Sequence, residues 1–150
     1  MKYRGEYSIS TDPTRLDIGL IHDYLSSSSY WATGRPLELV RRSIENSLSF
    51  GLYHAARQAG FARVVTDYAT FAWLADVFVL PEFQGQGLGK WLMSEIVEHP
   101  QLQGLRRWVL TTKDAHGLYA QFGFTPLQMT ERFMERFVDR PDYSGFSDGL

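Results

Sequence analysis

The sequence predicts a mixed α/β domain with elements in the order β-α-α-β-β-β-α-β-α-β-β. Three observations carry that expectation. Apolar residues recur at helical spacing before residue 48 and again after residue 86. Between residues 49 and 79 the period falls to two. An apolar strand ending near Val79 then runs through a glycine-rich loop directly into an amphipathic helix.

Lys2 to Ile9 reads as a strand, with Tyr3, Tyr7 and Ile9 in rough alternation. Thr11-Asp12-Pro13-Thr14 makes a turn and offers caps for a helix from about Leu16 to Leu25. A polar break, Ser26 to Ser29, leads past Tyr30, Trp31 and Gly34 to Pro36. Proline suits the first turn of a second helix, expected to run to about Ser47. Leu37, Val40, Ile44 and Leu48 form its apolar stripe, while Arg41, Arg42 and Glu45 face water.

Ser49 to Ala55 and Gln58 to Thr66 read as strands of a hairpin turning around Arg57-Gln58. Phe71 to Val79 is so apolar that it is expected in the middle of the sheet, buried on both faces. Gln86 to Glu98 is a helix with Leu88, Leu92 and Ile96 on one face, and Pro100 follows its end. Arg107 to Thr111 is a short strand, and Ala115 to Phe122 a short helix closed by Gly123. Phe124 to Met129 and Arg132 to Val138 read as two last strands. Asp139 to Leu150, rich in Asp, Gly, Ser and Pro, reads as a loosely ordered tail.

Composition narrows the function classes. At 150 residues the chain fits one domain, residues 1–150, able to bury a core without staples. Without cysteine it has no disulfide, thiolate metal site or cysteine nucleophile, which is compatible with a reducing cytoplasm. The formal net charge of −2 lacks the basic excess of a general nucleic-acid binder. No apolar run is long enough for a membrane span, and the polar N-terminus is not a secretory signal. The four histidines are scattered over separate elements, so no metal site is expected. No G-x-S-x-G elbow points to a serine hydrolase.

The sharpest local signal runs from Asp76-Val77-Phe78-Val79 through Pro81-Glu82 to Gln84-Gly85-Gln86-Gly87-Leu88-Gly89-Lys90. A glycine-rich turn between strand and helix aims free N–H groups and the positive helix end at one place, which suits a phosphate or pyrophosphate. The dinucleotide fingerprint fails because Gly85, Gly87 and Gly89 give G-x-G-x-G. The P-loop fails because Gln84 stands where its first glycine belongs and Trp91 where it needs Ser or Thr. The pattern Q/R-x-x-G-x-G/A fits, through Gln84, Gly87 and Gly89.

That pattern resembles the coenzyme A pyrophosphate loop of the GNAT superfamily of N-acetyltransferases. Ala115-His116-Gly117-Leu118-Tyr119-Ala120-Gln121-Phe122-Gly123-Phe124 is similar to the superfamily's A-x-x-L-Y-x-x-x-G-F signature, and the element order matches over about Tyr3 to Val138. The resemblance implies a central mixed sheet with splayed parallel strands, Phe71–Val79 and Arg107–Thr111, and a pantetheine arm between them near Phe78 and Val79. It implies acetyl-CoA as co-substrate, no metal, and a loop from Gln84 through Gly85, Gln86, Gly87, Leu88 and Gly89 to Lys90 that holds the pyrophosphate. An asparagine common in the superfamily is here Thr112, which still offers a hydroxyl to the pantetheine.

The resemblance places Tyr119 as the general acid for the departing thiolate, a role a phenol's basicity suits. A carboxylate in an apolar strand needs a partner, so Asp76 faces a cleft or a cation. In diamine-type acetyltransferases a similar position holds the amine, and Asp76 is read as substrate-binding, with a bracing role as the alternative. Trp31, with Tyr30 and Trp73, either walls an acceptor pocket or packs in the core. The expected activity is acetyl transfer to a primary amine of a small molecule or peptide by direct attack in a ternary complex. The rival readings are a catalytically weak acyl-CoA-binding or interaction module on the same fold, and a nucleotide-binding domain. No nucleic-acid or membrane partner is expected; a homodimer is compatible with the fold.

Overall fold

The computed structural model describes residues 1–139 and 142–146. Six strands form one sheet in sequence order: β1 (Lys2–Arg4), β2 (Tyr7–Ser10), β3 (Leu48–His54), β4 (Arg57–Thr66), β5 (Phe71–Val79) and β6 (Arg107–Val109). Neighbours run antiparallel except β5 and β6, which are parallel. Among the described residues four α-helices accompany the sheet: α1 (Ile18–Ser27), α2 (Leu37–Glu45), α3 (Leu88–Val97) and α4 (His116–Ala120). The expected mixed α/β class is the one observed.

The helices lie on both faces of β5. Tyr24 of α1 stacks on Phe78 with ring centroids 4.0 Å apart. On the other side, a Cβ at Gly89 would sit 3.9 Å from Val79 Cγ2. Ile21 and Leu25 of α1, Leu52 of β3, Phe61 and Val64 of β4, and Leu92 and Ile96 of α3 are fully buried and form the centre of the core. Asp17 starts α1, its carboxylate accepting the Leu20 N–H at 3.0 Å. The first turn therefore begins two residues after the expected Leu16, because Asp12 caps a separate 3-10 turn, Pro13–Arg15.

Several expected elements change. Lys2 to Ile9 is two strands, because Gly5 at φ 60° turns the chain back on itself. The β3–β4 turn falls at Ala55-Ala56, before Arg57, with Ala55 at φ 52°. One face of β5 is buried, at Ala72, Leu74, Asp76 and Phe78, whereas Phe71 and Trp73 on the other are exposed. That second face is half-buried from Ala75 through Val77 to Val79, and α3 approaches it at Val79.

The two last strands do not form. Residues 124–138 hold a 3-10 turn, Thr130–Arg132, and otherwise irregular backbone. A strand needs an edge to pair with, β6 has only three residues, and Pro126 lacks a donor. Met134 is accordingly 97% exposed. The expected tail, Asp139 to Leu150, lies in part outside the described residues.

A bulge shapes the strand that matters most. Pairing of β4 with β5 skips between Phe61↔Phe78 and Arg63↔Ala75, so Asp76 and Val77 together face Ala62. Asp76 takes a φ of 54°, a conformation aspartate tolerates better than most residues. Beside the bulge, Gly60 pairs with Val79, and a Cβ there would lie 2.8 Å from the Phe78 carbonyl oxygen. Backbone cannot retreat as a side-chain tip can. Gly60→Ala is therefore expected to cost about 2 kcal/mol by overpacking, read as a lower urea midpoint with unchanged slope. An unchanged midpoint would show that β5 shifts freely.

Candidate active site

The site begins where β5 and β6 part. They pair only at Phe71↔Arg107, Ala72↔Trp108 and Trp73↔Val109. From Leu74 to Val79 the β6-side edge of β5 has no strand beside it. The Leu80 N–H donates to Ala59 at 2.8 Å, toward β4. By alternation the polar groups of Val79 face the opposite edge, and its carbonyl accepts Gln84 Nε2 at 2.8 Å. A cavity of about 670 Å³ opens at the parting. Leu74 to Val77 form one wall, Leu110 to Ala115 and Tyr119 the other, and Tyr30, Trp31, Arg35 and Arg63 close one side. The splaying implied at the sequence level is present.

At the Val79 end lies the glycine loop. Gly85 and Gly87 have φ of 83° and 78°, and a Cβ on either would meet no atom within 4 Å. Their need for glycine is conformational, and the space before them is open. Gly87 precedes α3 without any side-chain cap. None of the backbone N–H groups from Gly85 to Lys90 donates to a protein acceptor among the described residues. Consecutive free donors at the positive end of a ten-residue helix make a seat for a polyanion. The side chains of Gln84 and Gln86 brace the loop, on the carbonyls of Val79 and Phe83. Leu88 is buried as the hydrophobic anchor of α3, and Lys90 is exposed.

Tyr119 stands on α4, across the cavity from β5. Its ring meets Phe124 edge-on at 6.0 Å, while its hydroxyl has no partner among the described residues. Burial, with Tyr30 and Asp114 nearby, pushes its phenol pKa up, so it is a proton carrier at neutral pH. Thr112 lines the same cavity, and its hydroxyl accepts the Ala115 N–H at 3.0 Å, which leaves its own proton free to donate. Phe78 points its ring into the core against Tyr24, and by the same alternation its peptide groups face Phe61 of β4, so of the two expected contacts on β5 only Val79 faces the gap.

Asp76 is the point at which the sequence reading needs correcting. Its side chain is buried, and both oxygens are taken by donors of the chain itself. Trp31 Nε1 donates to Oδ1, and Arg35 Nη1 and Arg63 Nε donate to Oδ2, each at 2.9 Å. Burial pushes the carboxyl pKa up. Arg35 and Arg63, the Arg63 hydrogen bond and the Trp31 indole together more than reverse that and hold it below the ordinary value. The cation that Asp76 needs is therefore internal, and no oxygen is left bare for an ammonium group. Trp31, tied to Asp76, does wall the cavity.

Arg35 and Arg63 were missed at the sequence level. A signal existed: Arg63 is a lone charge within the apolar run 59–65, as Asp76 is within 71–79. Two opposite charges in adjacent buried strands are candidates for each other. Arg35, in the turn before α2, carries no comparable signal.

Because the folded carboxyl of Asp76 titrates below its ordinary value, its ionised form stabilises the fold above that value, and the contribution is lost as pH falls through the folded pKa. Asp76→Asn is expected to cost about 3 kcal/mol near neutrality by stranding two guanidiniums. The gap to wild type should shrink at acid pH, where wild type loses the same charge. Urea unfolding at a series of pH values checks this; a gap independent of pH would overturn it.

The comparisons with known proteins agree with this geometry. Residues 45–126 match the family model described as an acetyltransferase (GNAT) domain. A protein of Gibberella zeae named as an acetyltransferase is 35% identical over 140 residues, covering 79% of this chain and 78% of the relative. An N-acetyltransferase named ycf52, from Gracilaria tenuistipitata var. liui, is 33% identical over 112 residues, and the match spans 69% of this chain and 61% of the relative. A solved GNAT-family acetyltransferase from Xanthomonas campestris pv. campestris superposes with a TM-score of 0.88 at 54% identity, covering 91% of this chain and 96% of that one. The fold, the glycine loop and the family match converge: this chain belongs to the GNAT acetyltransferases.

Proposed function

We propose that this chain, acting as one domain, transfers the acetyl group of acetyl-CoA to a primary amine of a small molecule or peptide by direct attack in a ternary complex. The observation that carries the reading is the run of unpartnered N–H groups from Gly85 to Lys90, set at the mouth of the split that holds the free Tyr119 hydroxyl. The residues fit the cofactor: the loop suits a pyrophosphate, and the bare edge of β5 suits an amide-bearing arm.

When bound, the thioester supplies the acetyl group. Gly85 to Lys90 hold the pyrophosphate through their N–H groups. The edge of β5 near Val79 orients the arm, and the Val79 N–H, facing the gap, polarises the thioester oxygen. Tyr119 then gives its proton to the departing thiolate as the amine nitrogen bonds to the acetyl carbon and the C–S bond breaks; the extra proton on nitrogen leaves to water. The absence of cysteine excludes an acetyl-cysteine intermediate. Against the binding-module alternative stands Tyr119: a pure binder has no use for an unpartnered, proton-bearing phenol in the gap.

Two variants test this. Gly87→Glu puts a bulky carboxylate where the open space lies and is expected to weaken acetyl-CoA binding at least about 10-fold, read by calorimetry. The fold should survive with about 1 kcal/mol lost to the positive φ. Unchanged affinity would place the pyrophosphate elsewhere. Tyr119→Phe is expected to keep acetyl-CoA affinity and lower kcat by about 100-fold, followed as thiol release. Wild-type turnover in that variant would remove Tyr119 from the chemistry.

A further inference from the structure

The acceptor side of the cavity carries the opposite charge from the one a buried aspartate first implies. Arg35 and Arg63 share the single carboxylate of Asp76, so two guanidinium charges meet one negative charge. The surplus is held out of water: the Arg35 and Arg63 side chains are 17% and 14% exposed, yet both line the cavity. Arg35 donates through Nη1 to Asp76, and Arg63 through Nε to Asp76 and Nη1 to Ser47 Oγ. Nη2 of each guanidinium has no partner among the described residues.

The other charges on the lining, Lys113, Asp114 and Asp139, are exposed. Water screens them, so they weigh little beside a half-buried charge. A brace for Asp76 alone would be neutral with one arginine. Asp76 fixes both forks in place, and a fixed guanidinium fork matches a planar carboxylate. The indole of Trp31, with Trp73 and Tyr30, offers flat apolar surface beside it.

We infer that the acceptor is an amine that carries a carboxylate, held by Arg35 and Arg63 while its amino group is presented to the β5–β6 split. This rests on the acetyl transfer proposed above, with the amine reaching the split and Tyr119 through this cavity. Asp76 is a positioning residue for the two arginines.

The first test compares phenylalanine, phenylalanine amide and phenethylamine as acceptors of the wild-type enzyme with acetyl-CoA. The acid is expected to exceed both uncharged analogues in kcat/KM by about 10-fold or more, the scale of one charge-assisted contact. Phosphoethanolamine against β-alanine separates phosphate from carboxylate; a preference for the phosphate would overturn the assignment. The second test needs no turnover: Trp fluorescence, with CoA present, follows binding of N-acetylphenylalanine and of its amide. Tighter binding of the acid by about 10-fold supports the inference even if no acceptor is turned over, an outcome that would count only against the proposed chemistry. Arg35→Gln should bring acid and amide within about 3-fold while acetyl-CoA affinity stays, and Arg35→Lys should keep part of the preference. Equal binding of acid and amide by wild type would show the arginines to be a brace and overturn the inference.

Discussion

A strand in the middle of a sheet that loses its neighbour halfway along is the constraint on which the rest of this site depends. β5 is paired along its length with β4 but with β6 only from Phe71 to Trp73. Beyond that its second edge offers peptide groups that a closed sheet would satisfy internally. Two structures could resolve this: a longer β6, or a ligand that hydrogen-bonds as a strand would. The chain takes neither within itself. Leu110 to Ala115 turn away, and α4 carries Tyr119 to the far wall. The gap is the consequence of a short β6, and the same shortness leaves residues 124–138 without a ladder to join.

How much of this was legible follows from which signals are local. The limits of β5 were read from composition alone, because a run of apolar β-formers bounded by Thr70 and Pro81 has few other readings. The glycine loop was legible for a related reason. Positive φ at Gly85 and Gly87 is a backbone requirement that only particular residues meet, so it is written into the residue types. Gly123, at φ 89°, likewise closes the segment after α4 as expected.

What was not legible depends on pairing across distance. Phe124 to Met129 and Arg132 to Val138 have strand-like alternation, but alternation says only that a segment suits a half-buried face, not that an edge is available. The expectation that β5 is buried on both faces failed in the same way, since hydrophobicity does not report how far α3 extends over it. Asp76 is the sharpest instance. Its need for a partner, with a cleft or a cation as the alternatives, was read from the apolar strand around it. Whether the cation comes from a ligand or from the chain depends on Arg35, 41 positions earlier, and on a bulge that turns the carboxylate toward it. No local pattern carries that information.

The loop between α1 and α2 touches both walls of the gap, which gives the cavity a defined width. On one side, Trp31 and Arg35 bond to Asp76 of β5. On the other, the Tyr30 hydroxyl accepts the Lys113 N–H at 2.9 Å, and the Lys113 ammonium lies 5.5 Å from the Tyr30 ring. Adjacent residues thus reach opposite walls, their rings edge to face at 5.1 Å. A gap lined by apolar side chains such as Leu74, Val77 and Leu110 would otherwise gain by collapsing, because contact between them removes apolar area from water. Hydrogen bonds to both walls oppose that collapse. The buried cluster around Asp76 anchors the rigid end of the bridge, and the exposed Tyr30–Lys113 contact forms the weaker end. If one wall yields when a substrate enters, it is the one carrying Thr112 and Tyr119, while β5 and the two arginines bonded to its Asp76 stay fixed.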